Sequence, residues 1–127
     1  MEVTLFRNFS VALLMFIILD SLWLGFVIKQ KYFKLLSGFK LRKISLLAAL
    51  IAYILLSLGI SFFVTPKVIN GTNAFFFGAL FGLVVYGVNH FTNYAIFENY
   101  KGEYLIIDTL WGSFASGIVS LLVFLSI

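Results

Sequence analysis

Four long apolar runs, roughly residues 9–28, 44–65, 74–97 and 104–127, alternate with short polar breaks along the chain. Each reaches the ~20 residues that a helix needs to cross a hydrocarbon core about 30 Å thick. The runs are too long and too uniformly apolar for β-barrel strands, which show short alternating segments, so helix is the element expected. Pro66, the only proline, closes the second run, and Asn70-Gly71 supplies a turn signal just beyond it. Breaks of about 6–15 residues make sequential helices antiparallel neighbours. The pattern predicts an all-α integral membrane protein: one transmembrane domain over residues 1–127, with four transmembrane helices in an up-down antiparallel bundle.

Composition agrees with this reading and narrows it. Only 11% of the residues are charged, against about 25% in a soluble domain, and the four helices leave no room for a soluble domain. Cysteine is absent, which removes disulfides and thiol chemistry. The first run does not read as a cleaved signal peptide: it is long, contains Asp20, and has only Arg7 as a basic residue before it. Six of the nine basic residues (Lys29, Lys31, Lys34, Lys40, Arg42 and Lys43) fall in the first break with no acid among them. The positive-inside rule therefore places residues 29–43 and 98–103 on the cytoplasmic side and both termini outside. The net charge of +4 is mostly this topology signal. Contact of the basic loop with anionic lipid headgroups is the weaker alternative. The lipid bilayer is the expected partner, and nothing beyond the basic loop supports a nucleic-acid partner.

The candidate chemistry lies where polar groups interrupt the runs. A charge at the centre of a membrane helix costs about 2.5–3.5 kcal/mol even on the milder scale, and two carboxylates, Asp20 and Asp108, sit inside the apolar runs. They occur in similar stretches, LDSLWLG and IDTLWGS, each with a tryptophan three residues on, Trp23 and Trp111. The echo links the first and last helices, which run in opposite directions, so it is not a duplicated hairpin. The third run adds Tyr86, Asn89, His90, Thr92 and Asn93. At 1.5 Å per residue, Asp20 lies roughly 12 Å, His90 roughly 10 Å and Asp108 roughly 6 Å from the cytoplasmic ends of their helices. The three groups therefore share one half of the bilayer. Gly82, Tyr86, Asn89 and Asn93 form a helical stripe flanked by His90, which should turn inward toward the two aspartates. Each tryptophan can shield its own aspartate from lipid or donate its indole N–H to a nearby acceptor.

Two readings of this set stand side by side: hydrogen bonds that hold the bundle together, and a functional pocket. Two carboxylates, one imidazole and two amides exceed what a small bundle needs for packing, which favours the pocket. Such a pocket could bind or conduct a proton, a cation or a small polar headgroup, with His90 the group whose charge changes near neutral pH. A metal site is not expected, because His90 is the only histidine and no ligand spacing is present. No cofactor or nucleotide motif appears, and no catalytic triad is suggested, so the chain reads as a binding or conducting protein more than an enzyme. Gly78 and Gly82 have the G-x-x-x-G spacing that lets helices approach closely, and Gly112 adds a small position in the last run. Whether they pack within one chain, between copies, or against a larger membrane complex of which this chain is a structural subunit is left open.

These residues also carry a resemblance. DSLWLG at 20–25 followed by Tyr32, GALFG at 78–82, Tyr86, TNYA at 92–95 and DTLWG at 108–112 resemble the pattern of a family of small four-helix membrane proteins, domain of unknown function 2177. The likeness covers almost the whole chain, and from Gly78 to Gly112 the spacing matches without gaps. Two positions depart from the pattern: His90 stands where the family has an aspartate, and Tyr100-Lys101 replaces a tryptophan-proline pair. The resemblance implies the membrane fold. Bacterial members of that family are often encoded near enzymes that modify membrane fatty acids, so the resemblance also points to a lipid-related role, as an accessory or enzyme in fatty-acyl modification.

Overall fold

A computed structural model describes residues 2–39 and 45–126. Lys40, Arg42 and Lys43 lie outside the described residues. Five helices follow in chain order: α1 (Glu2–Leu22), α2 (Lys29–Leu35), α3 (Leu46–Gly59), α4 (Gly71–Ile96) and α5 (Gly102–Leu125). Two π-helical turns extend this set, Trp23–Val27 after α1 and Ile60–Val64 after α3. Among the described residues four stretches are long and apolar enough to cross a membrane: Thr4–Phe26, Leu46–Lys67, Gly71–Ile96 and Gly102–Leu125. The fifth helix, α2, is short and continues from the α1 π-turn, between the first two spans.

Local sequence explains the ends. Ser45 caps α3 by accepting from the Ala48 N–H at 3.2 Å, the bond that a helix N-terminus otherwise lacks. Pro66 sits at the start of the 3₁₀ turn Thr65–Lys67, where its missing N–H costs nothing. Asn70 accepts from the Asn73 N–H at 2.8 Å, and Asn73 in return accepts from the Ile69 N–H at 3.0 Å. This reciprocal cap starts α4 directly after the turn.

Glycine decides how closely the last two helices meet. α4 and α5 form the most extensive helix pair in the molecule. A methyl group on Gly82 would run into the Gly112 carbonyl oxygen and Ser116, and one on Gly78 into Ser120 and the Gly117 backbone. The Tyr86 ring occupies the space that a side chain on Gly112 would need. The G-x-x-x-G spacing therefore serves a contact inside one chain.

Toward the chain termini, Ala12 and Phe16 of α1, Ile60 and Val64 of the α3 π-turn, and Val119 and Val123 of α5 form a fully buried apolar core. Toward the opposite end, which carries α2 and the turn at residues 97–101, the interior becomes polar. The outer surface is apolar: Phe6, Leu46 and Phe63 are 72%, 79% and 72% exposed. A soluble protein rarely leaves so continuous an apolar surface uncovered, whereas along membrane spans it faces acyl chains.

Candidate functional site

Each sequence-derived carboxylate is bonded by side chains from other helices. Asp20 of α1 accepts the Trp111 indole N–H of α5 at 2.8 Å and the Tyr53 hydroxyl of α3 at 2.6 Å. Asp108 of α5 accepts the Tyr32 hydroxyl of α2 and lies 2.5 Å from the His90 Nε2 of α4. The other imidazole nitrogen, Nδ1, is 2.5 Å from the Tyr100 hydroxyl. His90 is 1% exposed, so its ring has left water behind and relies on these two partners.

The tryptophans join the two halves. Of the two roles expected, shielding the neighbouring aspartate or donating to a nearby acceptor, both indoles take the second, on other elements: Trp111 donates to Asp20, while Trp23 donates to the Tyr32 hydroxyl at 3.2 Å. The two indoles stack with centroids 4.3 Å apart and planes 3° from parallel. The result is one continuous chain of contacts: Asp20 to Trp111, across the stack to Trp23, then Tyr32, Asp108, His90 and Tyr100. The π-turn matters here, because Trp23 opens it and the chain then turns into α2, which delivers Tyr32.

The expected stripe on α4 divides in two. Gly78, Gly82 and His90 are buried, with Tyr86 in register between them against Gly112. These positions repeat every fourth residue and form the row that meets α5. Asn89 and Thr92 are exposed and Asn93 is half-buried, one step around the helix from that row. Asn93 donates to Asn89 at 3.4 Å. With Tyr86, Asn89 lines an open, mostly apolar groove of about 630 Å³ between α3 and α4, whose walls include Leu55, Gly59, Phe81 and Val85. Asn89 thus belongs to the groove, and of the asparagines and His90 only His90 bonds to Asp108.

Four tyrosines complete the site that the apolar-run reading did not assemble. Tyr32 was visible only through the family pattern, and Tyr53, a lone hydroxyl in an apolar run, gave no signal. Tyr100 and Tyr104 surround the imidazole; Tyr104 meets it edge-on at 5.0 Å. Burial, with the Asp108 charge beside it, raises the Tyr32 phenol well above its ordinary value, so it stays a proton donor to the carboxylate. Burial also raises the Tyr100 hydroxyl; the Asn93 amide pulls against that shift and the Asp108 charge adds to it. Tyr100 is held in place by the turn around it: Asn99 donates to the Gly38 carbonyl at 2.6 Å, and Phe39 packs edge-on against both Phe97 and Tyr100. Among the described residues no three His, Cys, Asp or Glu side chains converge as a metal set would.

Fold and site together define a multipass α-helical membrane protein, a glycine-packed bundle in which the intramembrane aspartates and histidine are bonded across helices toward one end. A family model described as "Predicted membrane protein (DUF2177)" matches residues 5–125. The chain belongs to that family. No curated protein and no solved structure matches it.

Proposed function

We propose that this is a proton-binding membrane protein in which the His90–Asp108 pair takes up and releases the proton. One observation carries the reading: a fully buried imidazole with both nitrogens engaged by groups that tolerate a change of charge. Asp108 accepts from Tyr32, so it is the acceptor for His90 as well, and Nε2 carries the donated proton. In the neutral ring Nδ1 accepts from the Tyr100 hydroxyl. In the charged ring Nδ1 donates to the same oxygen, because a hydroxyl serves either role. No hydrogen bond is lost between the two states.

Tyr100 precedes α5 at the membrane edge and is the route by which a proton reaches the ring. We read this end as cytoplasmic from the lysine-rich loop. The test uses the single histidine of the chain. In ¹⁵N-histidine-labelled protein in lipid nanodiscs, Nδ1 should change from an acceptor to a protonated nitrogen as the pH falls from 9 to 4.5, while Nε2 stays protonated. A pH-independent imidazole spectrum, or an unaltered titration in Asp108→Asn, would refute the assignment. Proton flux into proteoliposomes, compared between the wild type and Asp108→Asn, then separates conduction from binding.

A role in fatty-acyl modification is the second reading, favoured by the groove between α3 and α4, which offers a membrane-level apolar wall ending at Tyr86 and Asn89. Its test is the fatty-acid profile of cells with and without the protein; identical profiles would remove it.

A further inference from the structure

Positive charge at the α2 end is arranged in space as well as along the chain. Lys31 and Lys34 of α2 and Lys101 at the start of α5 line a cleft of about 410 Å³, with Glu103 as its only acid. A topology signal requires only that basic residues lie in the same loop. Here lysines 67 residues apart converge, and contacts between α2 and α5 hold two of them. The Lys101 ammonium donates to the Lys34 carbonyl at 3.1 Å and to the Ser37 hydroxyl at 3.4 Å. Lys31 pairs with Glu103 at 2.9 Å. That pairing cancels one positive charge against the one acid, so the cleft keeps a surplus of two, carried by Lys34 and Lys101. Among the described residues Lys34 has no ion-pair partner. The cleft lies just beyond Phe26 and at Gly102, the ends of two spans, which is the level of lipid phosphates.

We propose that this cleft is a binding site for a phosphate-bearing anion, with Lys34 and Lys101 as its principal ligands. Two lysines on separate elements, one of them already oriented, match the net negative charge of an acidic phospholipid headgroup, which has no ammonium of its own as phosphatidylcholine does, or the oxygens of free phosphate. Lys31 stays with Glu103 and sets the width of the cleft. The site does not depend on the proton reading: it uses none of the groups around His90, and either can fail without the other.

Lysine acetylation followed by mass spectrometry tests it on the wild-type chain. The protein is placed in phosphatidylcholine nanodiscs alone, with phosphatidylglycerol added, or with millimolar inorganic phosphate instead. Lys34 and Lys101 should react about fivefold more slowly where the ligand is present, while exposed Lys67 at the opposite end should change little. Protection by phosphatidylglycerol alone assigns the site to a lipid headgroup; protection by inorganic phosphate as well assigns it to the free anion. Equal protection of Lys67, or none of Lys34 and Lys101, overturns the proposal. In Lys34→Gln/Lys101→Gln, retention of phosphatidylglycerol over phosphatidylcholine in native mass spectrometry should fall roughly 30-fold. Lys34→Arg/Lys101→Arg should keep it.

Discussion

Replacing Gly82 by alanine tests how the packing of α4 on α5 sets the geometry of the site. The new methyl would sit 2.7 Å from both Cβ and Oγ of Ser116, and against the Gly112 carbonyl oxygen. Ser116 could rotate its hydroxyl, but the carbonyl belongs to a helix backbone and cannot. With the carbonyl oxygen only 2.3 Å from the new methyl, reaching the 3.4 Å of ordinary contact requires the two helices to part by about 1.1 Å at this level. Overpacking of this kind costs about 1–3 kcal/mol. The same movement would stretch the His90–Asp108 contact from 2.5 Å beyond the ~3.2 Å limit of an N–H···O bond. Gly87→Ala is the control, because a methyl there meets only the Thr109 Cγ2 at 3.9 Å, an ordinary contact. Equilibrium unfolding in mixed micelles should place Gly82→Ala at least ~1 kcal/mol below Gly87→Ala, and its His90 ¹⁵N signals should shift at constant pH. If the two variants agree within about 0.5 kcal/mol and share one spectrum, the glycine contact does not position the site.

Asp20→Asn leaves the Trp111 N–H an acceptor oxygen and turns an N–H₂ toward the Tyr53 hydroxyl, which exchanges a charge-assisted bond for a neutral one and should cost about 1 kcal/mol. Asp20→Asn and Tyr53→Phe should be non-additive in a double-mutant cycle, whereas additive effects would mean that the Tyr53–Asp20 bond contributes nothing. The parallel indoles should give a coupled exciton signal in circular dichroism that disappears in both Trp23→Phe and Trp111→Phe; a spectrum equal to the sum of two isolated indoles would contradict the stack. Because Tyr100 is raised in the folded protein, its contribution to stability is complete below the ordinary phenol value of about 10 and is lost as the pH rises past it. Unfolding measured at pH 9 and above pH 10 should show a smaller alkaline loss in Tyr100→Phe than in the wild type.

The spans were legible because length and hydropathy decide what can cross a bilayer, and both are properties of the chain alone. The meeting of Asp108 with His90 was legible for a related reason: helical rise converts sequence position into depth, and depth places both groups at one level. Azimuth was harder to read. Asn89, Asn93 and Tyr86 fit a helical stripe as well as Gly78, Gly82, Tyr86 and His90 do, and only the close approach of α5 at the glycines selects the second row. The tyrosines were the least visible. A phenol in an apolar run costs too little to signal a partner, and Tyr53 and Tyr100 acquire theirs from helices 33 and 10 residues away in sequence. The partners of the tryptophans were hidden by the same blindness to neighbours: each indole lies on its own aspartate's face but bonds to a group on another element.

The position of the partners of Asp20 also bears on how the chain is assembled. During synthesis α1 enters the membrane first, carrying a carboxyl whose exposure to lipid costs about 2.5–3.5 kcal/mol. Its indole donor lies 91 residues downstream on the last helix. Tyr53, only 33 residues downstream on α3, can satisfy the carboxyl as soon as the second span is in place. That hydroxyl acts as an early partner for a half-built bundle, holding α1 and α3 together while the hairpin of α4 and α5 is still emerging. A chain lacking it should persist longer as an incomplete intermediate and be more readily degraded, even where the finished protein loses little.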